Sequence, residues 1–187
     1  MIGYDPETGE IEKRNTHQGY AHESVWARGQ AWGLYGYTMM FRETGDSSYL
    51  HHAKGIARFI MSHPNMPKDK VPYWDFNAPD IPHAKRDASA AAIMASAFIE
   101  LSTLTKEEPD FSKQCLNMVE MQLRSLTSAQ YLAKKGTNGG FILMHSVGNL
   151  PKGTEVDVPL TYADYYYVEA LVRYKKMVLG TLKGKKN

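Results

Sequence analysis

The run from His17 to Gly36, HQGYAHESVWARGQAWGLYG, gathers the side chains best suited to chemistry. Arg28 and Trp32 stand four residues apart, which places them on one face of a helix. A guanidinium beside an indole can grip a carboxylate while the indole offers a platform to a sugar ring. Trp26 lies about 200° from Arg28 around an ideal helix and so off that face, but in a first turn its ring can lean over the mouth of a cavity. Gln18, in the polar stretch just before, adds an amide. The same residues also suit an arginine bridging two helices and a tryptophan in a core, and residue types alone leave both readings open.

Two further groups follow. PYWDFNAP (residues 72–79) precedes RDASAAA (residues 86–92). Trp74 is a candidate sugar platform, Asp87 has the position of a helix N-cap, and Arg86 is expected to pair with Asp75 to order the loop. MHSVGN (residues 144–149) brings His145 and Ser146 into a glycine-rich loop, where a solvent-exposed histidine is the plain alternative. Tyr165, Tyr166 and Tyr167, with Asp164, read as an aromatic core cluster. Cys115 is the single cysteine, which excludes an intrachain disulfide and a cysteine-based zinc site. His51 and His52 are adjacent rather than one turn apart, and no HExxH, phosphate loop or dinucleotide fingerprint is present.

The elements that must carry these residues are helices. Asp5-Pro6-Glu7-Thr8-Gly9 between Tyr4 and Ile11 predicts a tight turn of a small hairpin. Ser24 is expected to cap a helix to about Arg42, whose Gly29, Gly33 and Gly36 suggest close approach of another backbone. Further helices are predicted at about 47–62, 88–102, 110–127 and 162–178, with long loops at 63–86 and in the glycine-rich stretch from Gly136 to Gly153. A short strand is expected over Gly140–Met144. Helices starting near 24, 87 and 162 are rich in small or aromatic residues, whereas those near 47 and 110 are ordinarily amphipathic. Inner helices wrapped by outer ones follow, with the functional loops gathered at one end.

At 187 residues and 43% hydrophobic content, the chain is one domain or a piece of a larger one. A net charge of +2 does not suggest nucleic acid, and Lys183-Gly184-Lys185-Lys186, the one basic run, reads as a solvated tail. No stretch of about 18 apolar residues is present and no signal peptide precedes the first motif. A cytoplasmic or periplasmic setting is therefore expected rather than a membrane one.

The strings HQGY…SxWARGQAWGLYG and PYWDFNAP…RDASAAA resemble the unsaturated glucuronyl hydrolases, glycoside hydrolase family 88. That resemblance implies an all-α fold, the α/α-toroid of six helix pairs, of which residues 1–187 would form a partial barrel, the C-terminal half. It places Gln18, Trp26, Arg28 and Trp32 at positions associated with binding the unsaturated uronic acid, with the loop of His145 and Ser146 edging the pocket. The implied reaction removes a 4,5-unsaturated uronic acid from lyase-generated oligosaccharides. An aspartic acid protonates ring carbon 4, water adds at carbon 5, and the hemiketal rearranges to release the sugar, unlike direct attack at the anomeric centre. No metal or organic cofactor is implied. The family's two principal catalytic aspartates belong to the other half and find no match here, so the expected catalytic set within this chain is empty. The sister rhamnogalacturonyl hydrolases tend to read WxRGNGW, which Gln30-Ala31 does not match. A non-catalytic carbohydrate-binding or scaffold protein built from the same helices is the reading from another class. Half a toroid would leave two apolar edges bare, and association with the missing half or a second copy is expected.

Overall fold

Small residues dominate the stretch from Ala88 to Ser102, and they let other helices close around it until every one of its side chains is buried. The computed structural model describes residues 2–180; the basic run Lys183–Lys186 lies outside them. A hairpin of β1 (Ile2–Tyr4) and β2 (Ile11–Arg14) leads in. Its turn is the predicted one: the Asp5 carboxylate accepts from the backbone N–H groups of Glu7 and Thr8, and Gly9 takes φ +74°. Helices α1 (Ala27–Thr44), α2 (Ser47–Ser62), α3 (Ala88–Leu104) and α4 (Pro109–Leu126) follow. A second antiparallel hairpin, β3 (Ser146–Asn149) with β4 (Thr154–Val158), precedes α5 (Thr161–Arg173), which runs on as a π-helical turn over Tyr174–Leu179.

Helix α3 packs on α1, α4 and α5, and α2 packs on α1. The predicted inner trio of α1, α3 and α5 is thus present, with α2 and α4 outside. Asp46 caps α2 through Ser48 N–H, and Asp87 caps α3 through the N–H groups of Ser89 and Ala90. Away from the loops, the inner helices are cross-linked by polar groups. Glu100 takes Arg42 at 2.5 Å and Arg173 at 2.6 Å, and Glu169 accepts from Ser96 Oγ at 2.5 Å and from the Tyr35 hydroxyl at 3.2 Å. Burial pushes the Tyr35 phenol up to about 12. No helix of the described residues is long and apolar enough to cross a membrane.

Four expectations are corrected. Ser24 does not cap α1, which begins after Trp26 with no side-chain cap, because the Ser24 hydroxyl is drawn to Asp75 at 2.7 Å. The glycines of α1 admit side chains rather than a backbone: a Cβ on Gly29 would stand 2.7 Å from the Trp26 ring, and one on Gly33 3.2 Å from Ile56 Cδ1. Gly140–Met144 forms no strand beyond a single bridge between Leu132 and Leu143, and the strands lie further on. Arg86 pairs with Asp69 and donates to Val71 O, not to Asp75.

Candidate functional site

The loops converge at the N-terminal ends of α1 and α3, where unsatisfied helix N–H groups need partners. Ala27 N–H donates to Trp74 O at 3.1 Å, and Ala88 N–H donates to His145 O at 3.0 Å. The loop 72–87 is stitched to the start of α1 by a bridge between Trp26 and Asp75 and by Phe76 N–H to Val25 O. Asp75, fully buried, accepts from Tyr20 N–H at 2.9 Å, Ser24 Oγ and Asn77 N–H at 2.8 Å, and so orders the loop that carries Gln18.

Arg28 is the hub. It is 3% exposed and pairs with the wholly buried Asp87 at 3.1 Å. It also donates to the carbonyls of Val147 and, at 2.5 Å, Gly148. Gln18 Nε2 donates to the same Gly148 oxygen at 2.8 Å. The guanidinium lies 4.8 Å from the Trp26 ring centroid and 5.5 Å from that of Tyr162. Burial pushes the Asp87 carboxyl up from its ordinary value, against the pull of Arg28, the Ser89 hydroxyl and the N–H groups of Val147 and Ala90.

Four of the seven residues singled out from sequence therefore meet. Gln18 and Arg28 close on Gly148, Trp26 stacks on Arg28, and Ser146 begins the strand they hold. Trp26 shares the arginine's side after all, because it precedes the helix and the helical angle does not apply. Trp32 is half-buried and reaches Arg28 only through Tyr162, 6.3 Å from its own ring, while Tyr166 meets it edge-on at 5.1 Å. Trp74 is 3% exposed, in a small cluster with Tyr73, Ala78, Ala84 and Val147. Ser146 is buried with its hydroxyl unpartnered. His145 faces out, its Nδ1 2.6 Å from Asp157 Oδ1, and Lys85 takes the other oxygen of Asp157 at 2.8 Å. These two bonds, that of Lys85 foremost, hold the Asp157 carboxyl below its ordinary range. The tyrosine cluster divides: Tyr167 is buried, and Tyr165 is 60% exposed.

The sequence reading gives no role to Tyr162 or to Gly148, and it orders the loop through an Asp75–Arg86 pair rather than through Tyr20, Ser24 and Asn77. Tyr162 sits in the first turn of α5 beside the small Ala163, a spacing that could have marked it as facing the loops. Asp75 acts through hydrogen bonds to residues some 50 positions away, which no local pattern encodes. Gly148 offers only its carbonyl. A Cβ there would fall 2.1 Å from Glu155 Oε2 and 2.5 Å from Glu155 Cβ across the hairpin, so glycine is required for the strands to close. Among the described residues, no group of three His, Cys, Asp or Glu side chains could hold a metal ion.

No family model matches the chain. A curated relative, the unsaturated glucuronyl hydrolase of Formosa agariphila, is 50% identical over 181 residues, covering 96% of this chain and 44% of the relative. Among solved structures, an unsaturated glucuronyl hydrolase specific for heparin superposes with a TM-score of 0.88 at 52% identity, over 94% of this chain and 46% of that one. An Asp-to-Asn variant of the Streptococcus agalactiae unsaturated glucuronyl hydrolase, complexed with dGlcA-GalNAc6S, gives a TM-score of 0.77 at 38% identity, over 91% and 45%. The chain thus spans about half the length of the curated relatives it matches.

Proposed function

We propose that the chain belongs with the unsaturated glucuronyl hydrolases, as roughly half of their α/α-toroid, and that it supplies the uronate-recognition wall of such a hydrolase. The observation that carries this reading is the convergence of Gln18 and Arg28 on one carbonyl beside Trp26 and Tyr162, at the end where the loops gather. Trp26 and Trp32, both half-buried, present ring surface to a sugar, and Gln18 stands beside the Arg28 that Trp26 covers. Arg28 acts on the wall from behind, its charge spent on Asp87 and on two carbonyls of the β3 strand, so it sets where that strand stands. Trp74 and Ser146 support the same loops from inside.

The substrate class is an oligosaccharide ending in an unsaturated uronic acid. The acid that protonates ring carbon 4 comes from outside these residues. Asp75, Asp87 and Asp164 already accept bonds from Ser24, from Arg28, and from the N–H groups of Ile142 and Leu143 respectively. A general acid must instead reach the proton's destination on the substrate. The 187-residue chain alone therefore binds without turnover. It associates through its bare apolar faces, with a second copy or with the complementary half of the toroid.

Calorimetry with an unsaturated uronic disaccharide tests the wall. Trp32→Ala and Trp26→Ala are expected to weaken binding by about 1 kcal/mol or more while the Phe replacements retain most of it. Equal affinity across Trp, Phe and Ala at both positions would reduce the two rings to packing. Loss of the ultraviolet absorbance of the substrate's double bond reports turnover, and steady turnover by the isolated chain would overturn the assignment of the acid elsewhere.

A further inference from the structure

The outer wall carries a cleft apart from the Arg28 hub. Helices α2 and α4 leave an opening of about 440 Å³ between them, lined by Arg58, Met61, Ser62, Lys70, Met118 and Met121 among others. That is the size of a small-molecule site. Its charged lining residues are both basic. Arg58 shares its charge with Glu108 at 3.1 Å and lies over the Phe111 ring. Lys70 belongs to none of the ion pairs among the described residues, which leaves one uncompensated cation at the rim.

The floor is methionine. Its unbranched thioethers adapt to the shape of an apolar guest better than branched side chains do. Gln122, one turn beyond Met118 on the same face of α4, is wholly buried; its amide nitrogen donates to Lys70 O at 3.2 Å, and its Oε1 has no partner. A buried acceptor left without a donor is uncommon in a folded protein. Both walls and the cationic rim are supplied by this chain.

We propose that this cleft is a second binding site, for a small amphiphilic anion: a sulfate or carboxylate head at Lys70 and Arg58, and an alkyl or aryl body across Met61, Met118 and Met121. Charge complementarity selects the head, and the methionine floor selects the body. The site is independent of the uronate wall and stands or falls apart from it.

The test titrates octyl sulfate, below its micelle concentration, into the chain carrying carbon-13 methionine methyl groups. Saturable shifts are expected at Met61, Met118 and Met121. Octanol, which keeps the body and drops the charge, is expected to bind about tenfold more weakly, as is octyltrimethylammonium, which reverses it. Lys70→Gln is expected to lower octyl sulfate affinity about threefold or more; if that variant does not fold, the three ligands on the unaltered chain decide. Shifts confined to other methionines such as Met39 or Met177, a response that does not saturate, or equal affinity for the three ligands would overturn the proposal.

Discussion

Helices α3 and α5 are both inner helices, yet one is sealed and the other is half bare. Every side chain of α3 from Ala88 to Ser102 is buried, with α1, α4 and α5 packed around it. On α5, Tyr165 is 60% exposed, and Val168, Leu171 and Val172 are 40–44% exposed. The difference is not in how apolar the residues are but in how many neighbours the chain supplies. A stripe of Tyr165, Val168 and Val172 at helical spacing is an inner face without its partner, whereas the alanines of α3 have theirs. Apolar content alone would have called both helices core.

The two helices begin differently as well, and substitution there gives the widest contrast. Asp87→Ala strips α3 of its cap and leaves Arg28 buried without its counter-charge, so it is expected to cost about 3–5 kcal/mol in a denaturant titration. Asp164→Ala in the first turn of α5 removes two acceptors from Ile142 and Leu143 N–H, and about 1–2 kcal/mol is expected. Equal losses would mean that the Arg28 hub does not organise this end.

Volume changes sharpen the same comparison. Ala95→Leu, midway along α3, is expected to destabilise by about 1–3 kcal/mol through overpacking. Leu171→Ser on the bare side of α5 is expected to stay within about 0.5 kcal/mol while shifting sedimentation toward the monomer. A large stability loss from Leu171→Ser, with no change in association, would show the face to be packed within the chain.

The smallest effect falls on the β3–β4 hairpin. Asp157 is held below the ordinary carboxylate range by Lys85 and His145, so its folded-state pKa is depressed. Its contribution is present above the unfolded value of about 3.9 and is lost as pH falls through the folded one. The stability gap between wild type and Asp157→Asn should therefore be small at neutral pH and vanish in acid. Asparagine tolerates the φ of +59° at this position, which keeps backbone strain out of the comparison.

What the sequence made legible follows from how local each signal is. The extent of α2, the cap at Asp87 and the alternation of inner and outer helices rest on periodicity, capping and small residues within a few positions. The β3–β4 hairpin was hidden because His145, Glu155 and Asp157 all take positive φ, and Gly148, Pro151 and Gly153 read as loop. The roles of Arg28 and Asp75 were only partly visible. Their types announced polar chemistry, but their partners are backbone groups and side chains brought in from other segments. Trp74 looked like a platform by type and lies inside, since a loop residue can be either until the loop's packing is known.

The oxygen of Gly148 joins Gln18 and Arg28 across separations of 130 and 120 residues. Such contacts are the last that a folding chain can afford, since the entropy of closing so long a loop must be met before the bonds return anything. The helical pairs α1–α2 and α3–α4 are each joined by short connections and can form early. The junction at Gly148 is then a late product of folding, assembled only when the far hairpin swings back over helices already in place.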